Sequence, residues 1–314
     1  MKVSVIIPVY NSEKYIKKCI DSLVNQKFED CEFIFVDNAS TDNSRGIIEL
    51  YTDSRIKYYR LNEKGISQAR NFGIEKSNGD YIIFVDSDDY VKDDYIEKMY
   101  NKAIEDDLDI VICDYLTIDY KTDKILEVNN LKPFDNTTLR KNPNLILDIN
   151  LGPCNKIFKR ELFSKEKFPV GIKYEDFSLI ITVLSRAKLI GKLNLNLCYF
   201  TKHIDSQTTT IDEKVFDIFI SFDELLKKFE NSKYIKDALY SLITLKLIDY
   251  CLLQKYQKNK NLRDKFIDEA FSYLQKNIPN FRKDKQLKRY NFFKRTIGKY
   301  KSLSKLYCKI VSKF

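Results

Sequence analysis

The sequence predicts an α/β fold built on a mostly parallel sheet, followed by an all-helical region. Two observations predict this. Across residues 1–115, short runs of β-branched and aromatic residues alternate with stretches whose apolar residues recur every three or four positions. From about residue 212 no run reads as a strand, and the apolar spacing is helical.

The predicted strands are residues 3–7 (VSVII), 31–36 (CEFIFV), 56–60 (IKYYR), 81–85 (YIIFV) and 109–113 (DIVIC). Between them helices are expected over 12–25, where Tyr15, Ile16, Cys19, Ile20 and Leu23 share a face, and over 42–51, 65–76 and 93–103. Regular alternation with buried-type strands implies a parallel sheet covered by helices on both sides. STDNS at 40–44 and SDDYVKDD from 87 supply N-cap residues and early-turn acids. Between 116 and 210 the pattern loosens. It tightens at PCNKIFKRELF (153–163) and at GIKYEDFSLIITVLSRA (171–187), the second reading as a helix opened by its own acids. Helical spacing returns over 213–229, 234–257 and 263–276.

With 44% hydrophobic and 32% charged residues among 314, the composition is that of a globular chain able to bury a core. Seven scattered cysteines without a CxxC pair argue against a disulfide framework or a zinc site and fit a reducing cytoplasm. The first residues lack the apolar length and cleavage site of a signal peptide, and no run approaches the ~20 apolar residues of a membrane helix. Neither GxGxxG nor GxxxxGK occurs. The net charge of +9 is concentrated: from 281 to 314, twelve Lys or Arg face one acid, Asp284, while the first 280 residues carry 42 basic and 44 acidic side chains.

In YIIFVDSDDYV (81–91) a buried-type strand runs directly into Asp86, Asp88 and Asp89. One Asp would serve as a turn or cap, but three carboxylates within four positions repel one another. The cluster points to a metal ion, a basic partner or full solvation. Polar residues also follow the other strands, with PVYN after the first, DNASTD after the second and LNEKGISQARN after the third. Ligands of open α/β sheets bind beyond the carboxyl ends of strands.

The ordered set VSVIIPVYNSEKYIKKCIDSLVNQKF, EFIFVDNASTDNS, KGISQARNFGIEKSNGDYIIFVDSDD, NKIFKRELF and YEDFSL closely resembles the family 2 glycosyltransferases with a GT-A fold, of the bacterial cell-surface glycan type. The likeness covers residues 1 to about 210, and its specificity lies in the order and spacing of the pieces. It implies an inverting hexosyltransferase that moves a sugar from a nucleotide-sugar donor, a UDP-sugar above all, to a hydroxyl of a cell-surface glycan or lipid-linked acceptor. It also implies a glycosyltransferase domain at 1–210, with a nucleotide half to 115 and an acceptor half from 116; apolar spacing and charge add a helical region at 211–280 and a basic tail at 281–314.

By position, the resemblance implies that Pro8, Val9, Tyr10 and Asn11 line the nucleobase pocket and that Asp37 accepts a hydrogen bond from a uracil N–H. Gly65, Arg70 and Asn71 approach the nucleotide from the third loop. Asp86, Ser87 and Asp88 form a DxD motif, with Asp86 toward ribose or metal and Asp88 on Mn²⁺ or Mg²⁺. Asp89 is left as a helix cap. Asp176 is the implied general base, with Glu175 as its neighbour, and Lys202 and His203 fall where relatives contact phosphate or acceptor. His203 is the only histidine and by itself makes no His-based metal site. Lys156 and Lys159 read as supports of the fold. Two rival readings are a glycosyltransferase-like scaffold without activity and a DxD phosphatase or phosphotransferase. Retention of Asp37, Asp86, Asp88 and Asp176 opposes the first. The second would place its motif after the first strand.

In the tail, Phe293, Ile297, Tyr300, Leu303, Tyr307, Ile310 and Phe314 recur at helical spacing, with Lys301, Lys305, Lys309 and Lys313 on another face. This predicts an amphipathic basic helix that either docks on the body or meets the inner leaflet of a membrane, making the protein peripheral there. Aromatic residues at helix spacing, without a nucleic-acid motif, argue against nucleic acid. Helical stripes are also compatible with a homodimer.

Overall fold

The structure, a computed structural model, describes residues 1–203 and 212–311. The part of the 199–210 segment beyond His203 and the last three residues of the tail therefore lie outside the described residues. The described residues form two compact units: a sheet unit of residues 1–142, 148–171 and 175–203, and a helical unit of 143–147, 172–174 and 212–311.

The sheet unit starts from strands buried on both faces. All seven residues of β1 (Val3–Val9) and all eight of β2 (Cys31–Asn38) are buried, as is β4 (Tyr81–Phe84), while β3 (Ile56–Leu61) is half-buried at the edge. These four pair in parallel in the order β3-β2-β1-β4, with Val3 opposite Cys31 and Tyr81. Helices α1 (Ile16–Val24), α2 (Ser44–Glu49) and α3 (Ile66–Lys76) make the crossovers, and α4 (Tyr95–Glu105) follows β4. α1 and α4 turn apolar stripes inward, Ile16, Cys19, Ile20 and Leu23 on α1 and Tyr95, Ile96, Met99 and Ala103 on α4, whereas α3 buries Ser67, Ala69, Arg70 and Gly73. Because the four strands run the same way, the residues after Val9, Asn38, Leu61 and Phe84 reach one edge of the sheet.

Beyond β4 the sheet is mixed. Strand β8 (Lys156–Lys159) runs antiparallel to β4 and to β6 (Ile110–Asp119), and β6 pairs in parallel with β9 (Ile190–Lys202). Two further antiparallel strands complete it, β5 (Tyr90–Val91) on β9 and β7 (Ile125–Asn129) on β6. The parallel character expected of the whole sheet thus belongs to β1–β4 and the β6–β9 pair. Strand β9 went unread although Leu193, Leu195 and Leu197 alternate with asparagines, the period of a half-buried strand. A short helix α5 (Leu145–Asp148) precedes β8, and α6 (Glu175–Arg186) begins on the acidic pair expected to open it.

The helical unit is built around α8 (Lys236–Leu253), which buries Leu239, Leu242, Ile243, Leu247, Ile248 and Cys251 among others. Around it lie α7 (Asp217–Lys228), α9 (Lys260–Asn277), α10 (Phe292–Lys299) and α11 (Lys301–Val311). The tail is two helices rather than the single one expected, because Tyr300 is extended (φ −129°, ψ 124°). A Cβ on Gly298 would come within 2.4 Å of Ile248 Cγ2, so glycine is what lets α10 approach α8 so closely. All seven cysteines are free and buried. No described helix is long and apolar enough to cross a membrane.

At the end of the sheet opposite the polar loops, a buried network ties β1, β2 and the turn before β4. Ser4 Oγ donates to Glu32 (2.6 Å), Lys57 Nζ pairs with Glu32 (2.5 Å), and the backbone N–H groups of Asn78 and Gly79 donate to Glu32 and Ser4 Oγ (both 2.8 Å). A Cβ on Gly79 would stand 2.5 Å from the backbone nitrogen of Ser4, which cannot rotate away. Gly79→Ala should therefore lower stability by about 1–3 kcal/mol in urea unfolding, with the m-value unchanged.

Candidate active site

The loop after β1 is fixed before any ligand arrives. Pro8 and Val9 are buried strand residues, while Tyr10 is half-buried with the Lys64 ammonium 4.0 Å from its ring centre. Asn11 takes a left-handed backbone (φ 48°), which Asn tolerates, and its Oδ1 accepts from the Thr41 N–H at 2.8 Å. Ser12 Oγ lies 2.7 Å from Ser87 Oγ, joining this loop to the carboxylate segment.

Asp37 has no exposed surface. Its oxygens accept from Ser40 N–H (2.8 Å), the Tyr58 hydroxyl (2.7 Å) and Arg60 (3.1 Å). The resemblance implies that Asp37 accepts from a nucleobase; in the structure its carboxylate fixes Ser40, Tyr58 and Arg60. Asn38 Oδ1 accepts from the Gly65 N–H (2.6 Å), which anchors the start of α3.

Arg70, expected beside the nucleotide, is 4% exposed and spans two carboxylates. One NH group donates to Glu175 Oε1 at 2.8 Å and the other to Asp86 Oδ1 at 3.1 Å, with the Phe168 ring 5.2 Å from the guanidinium. Its Nε is buried without a partner. Asn71 is also engaged: its amide exchanges hydrogen bonds with the Phe168 backbone at 2.9 and 2.8 Å, so it clamps chain to chain.

The three carboxylates after β4 separate in role. Asp86 takes Arg70. Asp88 Oδ2 lies 2.8 Å from His203 Nε2, and burial with the nearby Asp86 raises the Asp88 pKa. Asp89 is no helix cap: its Oδ1 accepts from the Thr201 N–H (2.7 Å) and holds β9 to the loop, while Asp94 stands at the N-cap of α4. His203 is not a surface residue. Its ring is 8% exposed and stacks on Tyr15 at 4.1 Å, and its Nδ1 is buried without a partner. Lys202 points out to solvent.

The acidic pair opening α6 completes the group. Glu175 is buried on Arg70, while Asp176 is half-buried beside Gly152. Burial first, and then the Glu175 charge, push the Asp176 carboxyl up to about 7. The Gly152–Asn155 loop is braced by Lys156, fully buried, whose Nζ donates to the carbonyls of Gly152 (2.8 Å) and Cys154 (3.3 Å) and to Asn155 Oδ1 (2.9 Å). Burial lowers that ammonium to about 8. Burial and the Asp86 charge push the Cys154 thiol well above its usual range. Sequence reading missed Cys154 beside Asp86 and His203 on Asp88. A lysine inside the apolar run KIF was the one local signal for Lys156.

Among the described residues no group of three or more His, Cys, Asp or Glu side chains could hold a metal by itself. The residues nonetheless fit a hard divalent ion of the kind bound through one or two carboxylates plus substrate phosphates. Asp88 offers hard oxygens about one-third exposed, and its charge is raised in energy by Asp86 without a lysine or arginine on it.

Comparisons with known proteins agree on one family. The model described as Glycosyl transferase family 2 matches residues 4–166. Glycosyltransferase GlyG of Streptococcus pneumoniae serotype 4 is 31% identical over 223 residues, covering 65% of this chain and 72% of GlyG. Glycosyltransferase GlyA of the same organism is 32% identical over 208 residues, 62% of this chain, but the match spans only 30% of that longer protein. Among solved structures, residues 1–349 of TarS from S. aureus in complex with UDP-GlcNAc superpose with a TM-score of 0.69 at 20% identity, covering 100% of this chain and 91% of that one.

Replacing Arg70 with Met leaves Asp86 and Glu175 without their cation, which should cost about 3–5 kcal/mol. Urea unfolding of both proteins measures it.

Proposed function

The chain belongs to glycosyltransferase family 2 and has its GT-A fold, and on that premise we propose that it transfers a sugar, with inversion, from a UDP-sugar to a hydroxyl of a cell-surface glycan or lipid-linked acceptor. The observation that carries this reading is the pair at the start of α6: Glu175 held by Arg70, and Asp176 beside it with its carboxyl raised to about 7. A base is most effective when its pKa lies near the working pH. That of Asp176 does.

In this reading Asp176 takes the proton of the acceptor hydroxyl as the oxygen bonds to the anomeric carbon and the bond from that carbon to the diphosphate breaks. Glu175 is held by Arg70 and so is turned away from the acceptor. The loop from Pro8 to Asn11 receives the base and ribose, with Tyr10 against the ring once Lys64 yields its face. Asp37 holds Tyr58 and Arg60 at that pocket. Asp88, with Asp86 and His203 beside it, would hold Mn²⁺ or Mg²⁺. Such an ion supplies positive charge opposite the departing diphosphate. Ser87 holds the motif to the first loop through Ser12. A UDP-GlcNAc complex of the structurally similar TarS supports a UDP-sugar as donor.

Asp176→Asn should lower kcat by about 10²–10⁴-fold while UDP-sugar binding, followed by calorimetry, survives. In the unaltered enzyme kcat/KM should fall as pH drops below about 7, because the base is then protonated. A variant with near-normal turnover, or a profile flat down to pH 5, would assign the base elsewhere.

A further inference from the structure

The two tail helices separate two stripes that the sequence presents as one. The inner stripe, Ile297 and Gly298 on α10 with Ser304 and Cys308 on α11, is buried. Cys308 Sγ donates to the Cys251 carbonyl at 3.3 Å, and ion pairs reinforce the docking: Lys294 with Asp249 (2.6 Å), and Lys301 (3.1 Å) and Lys305 (2.6 Å) with Asp268. The hydrophobic need of these helices is therefore met within the unit.

A second apolar set faces outward and has no such role. Phe292 is 75% exposed and Phe293 61%, and Leu306 and Ile310 are each about half exposed one turn apart on α11. The Phe293 ring meets Tyr307 of α11 edge-on at 5.9 Å, and Leu306 and Ile310, four residues apart, share one face of that helix. Lys255 lies 4.7 Å from the ring of Tyr256, itself 66% exposed, and 3.5 Å from the Tyr307 hydroxyl. An exposed cluster of this size marks an interaction surface.

We propose that this face of the helical unit docks on an anionic lipid bilayer, with Phe292, Phe293, Leu306 and Ile310 entering the interfacial layer. Charge identifies the occupant. Residues 281–314 carry twelve Lys or Arg against Asp284, and Lys283, Lys285 and Lys288, just before α10, are exposed. A second copy of the chain would bring the same positive field and be repelled. Nucleic acid would match the charge and could stack bases on the two phenylalanines, but it offers no hydrocarbon for Leu306 and Ile310. A membrane surface with anionic headgroups satisfies both demands, since apolar groups enter the acyl boundary while lysines reach the headgroups. The inference is independent of the catalytic reading.

The test is co-sedimentation of the full chain with phosphatidylglycerol-containing vesicles and with phosphatidylcholine vesicles, at low and high salt. The chain should bind the first, weaken with salt and bind the second poorly. Combined substitution of Phe292, Phe293, Leu306 and Ile310 by Ser should weaken binding about tenfold or more without lowering Tm, since all four are exposed. A second variant, Lys283→Gln with Lys285→Gln and Lys288→Gln, should lose part of the salt dependence and keep the apolar contribution. Equal binding by the serine variant and the parent would overturn the proposal. So would a dimer, seen by light scattering, that the serine substitutions dissolve, or preferential capture of RNA over vesicles.

Discussion

The site depends on one buried guanidinium. Arg70 sits on α3, Asp86 ends β4 and Glu175 opens α6, so a single side chain joins three elements through two charged hydrogen bonds. A buried cation between two carboxylates is costly to desolvate and is retained only with good geometry, which the fork of Arg provides and a Lys would not. Taking that cation away leaves three carboxylates, Asp86, Glu175 and Asp176, in one poorly solvated place. With it there, Glu175 has a direct partner, while Asp176 feels the Arg70 charge without a bond to it and is raised by burial and by Glu175. That difference gives two adjacent acids of the same helix turn different surroundings.

Around this tie the remaining contacts read as alignment. Ser12 with Ser87 sets the first loop against the carboxylate segment, Asp89 with Thr201 sets β9 against it, and Lys156 braces the Gly152–Asn155 loop beneath Asp176. Several residues first associated with ligand contact, Asp37 and Asn71 among them, hold the protein's own backbone and side chains in place. A nucleotide pocket needs such preformed walls, because a wall that orders only on binding gives back part of the binding energy as lost conformational freedom.

What the sequence revealed follows from range. β1, β2 and β4 were legible because strands buried on both faces are written as largely apolar runs, and β3, half-buried at the edge, because of its β-branched and aromatic residues; the carboxylates after YIIFV stood out because three like charges after such a run demand a reason. The tie of Arg70 to Glu175 was not legible: the two are 105 positions apart, and nothing local to either predicts the other. The pairing of His203, the only histidine, with Asp88 and Tyr15 was not legible for the same reason, since those partners come from distant elements. The tail shows a different limit. Periodicity found the apolar residues but could not tell the stripe that docks through Cys308 from the one that leaves Phe292 exposed.

The account stands or falls on the Asp176 carboxyl. Side-chain ¹³C NMR of labelled aspartates, with Asp176→Asn giving the assignment, follows its titration in the free protein without relying on turnover. The account predicts a midpoint near 7 for this group. A midpoint near the ordinary value of about 4 would contradict it, because burial beside Glu175 would then not be what readies Asp176 to accept a proton.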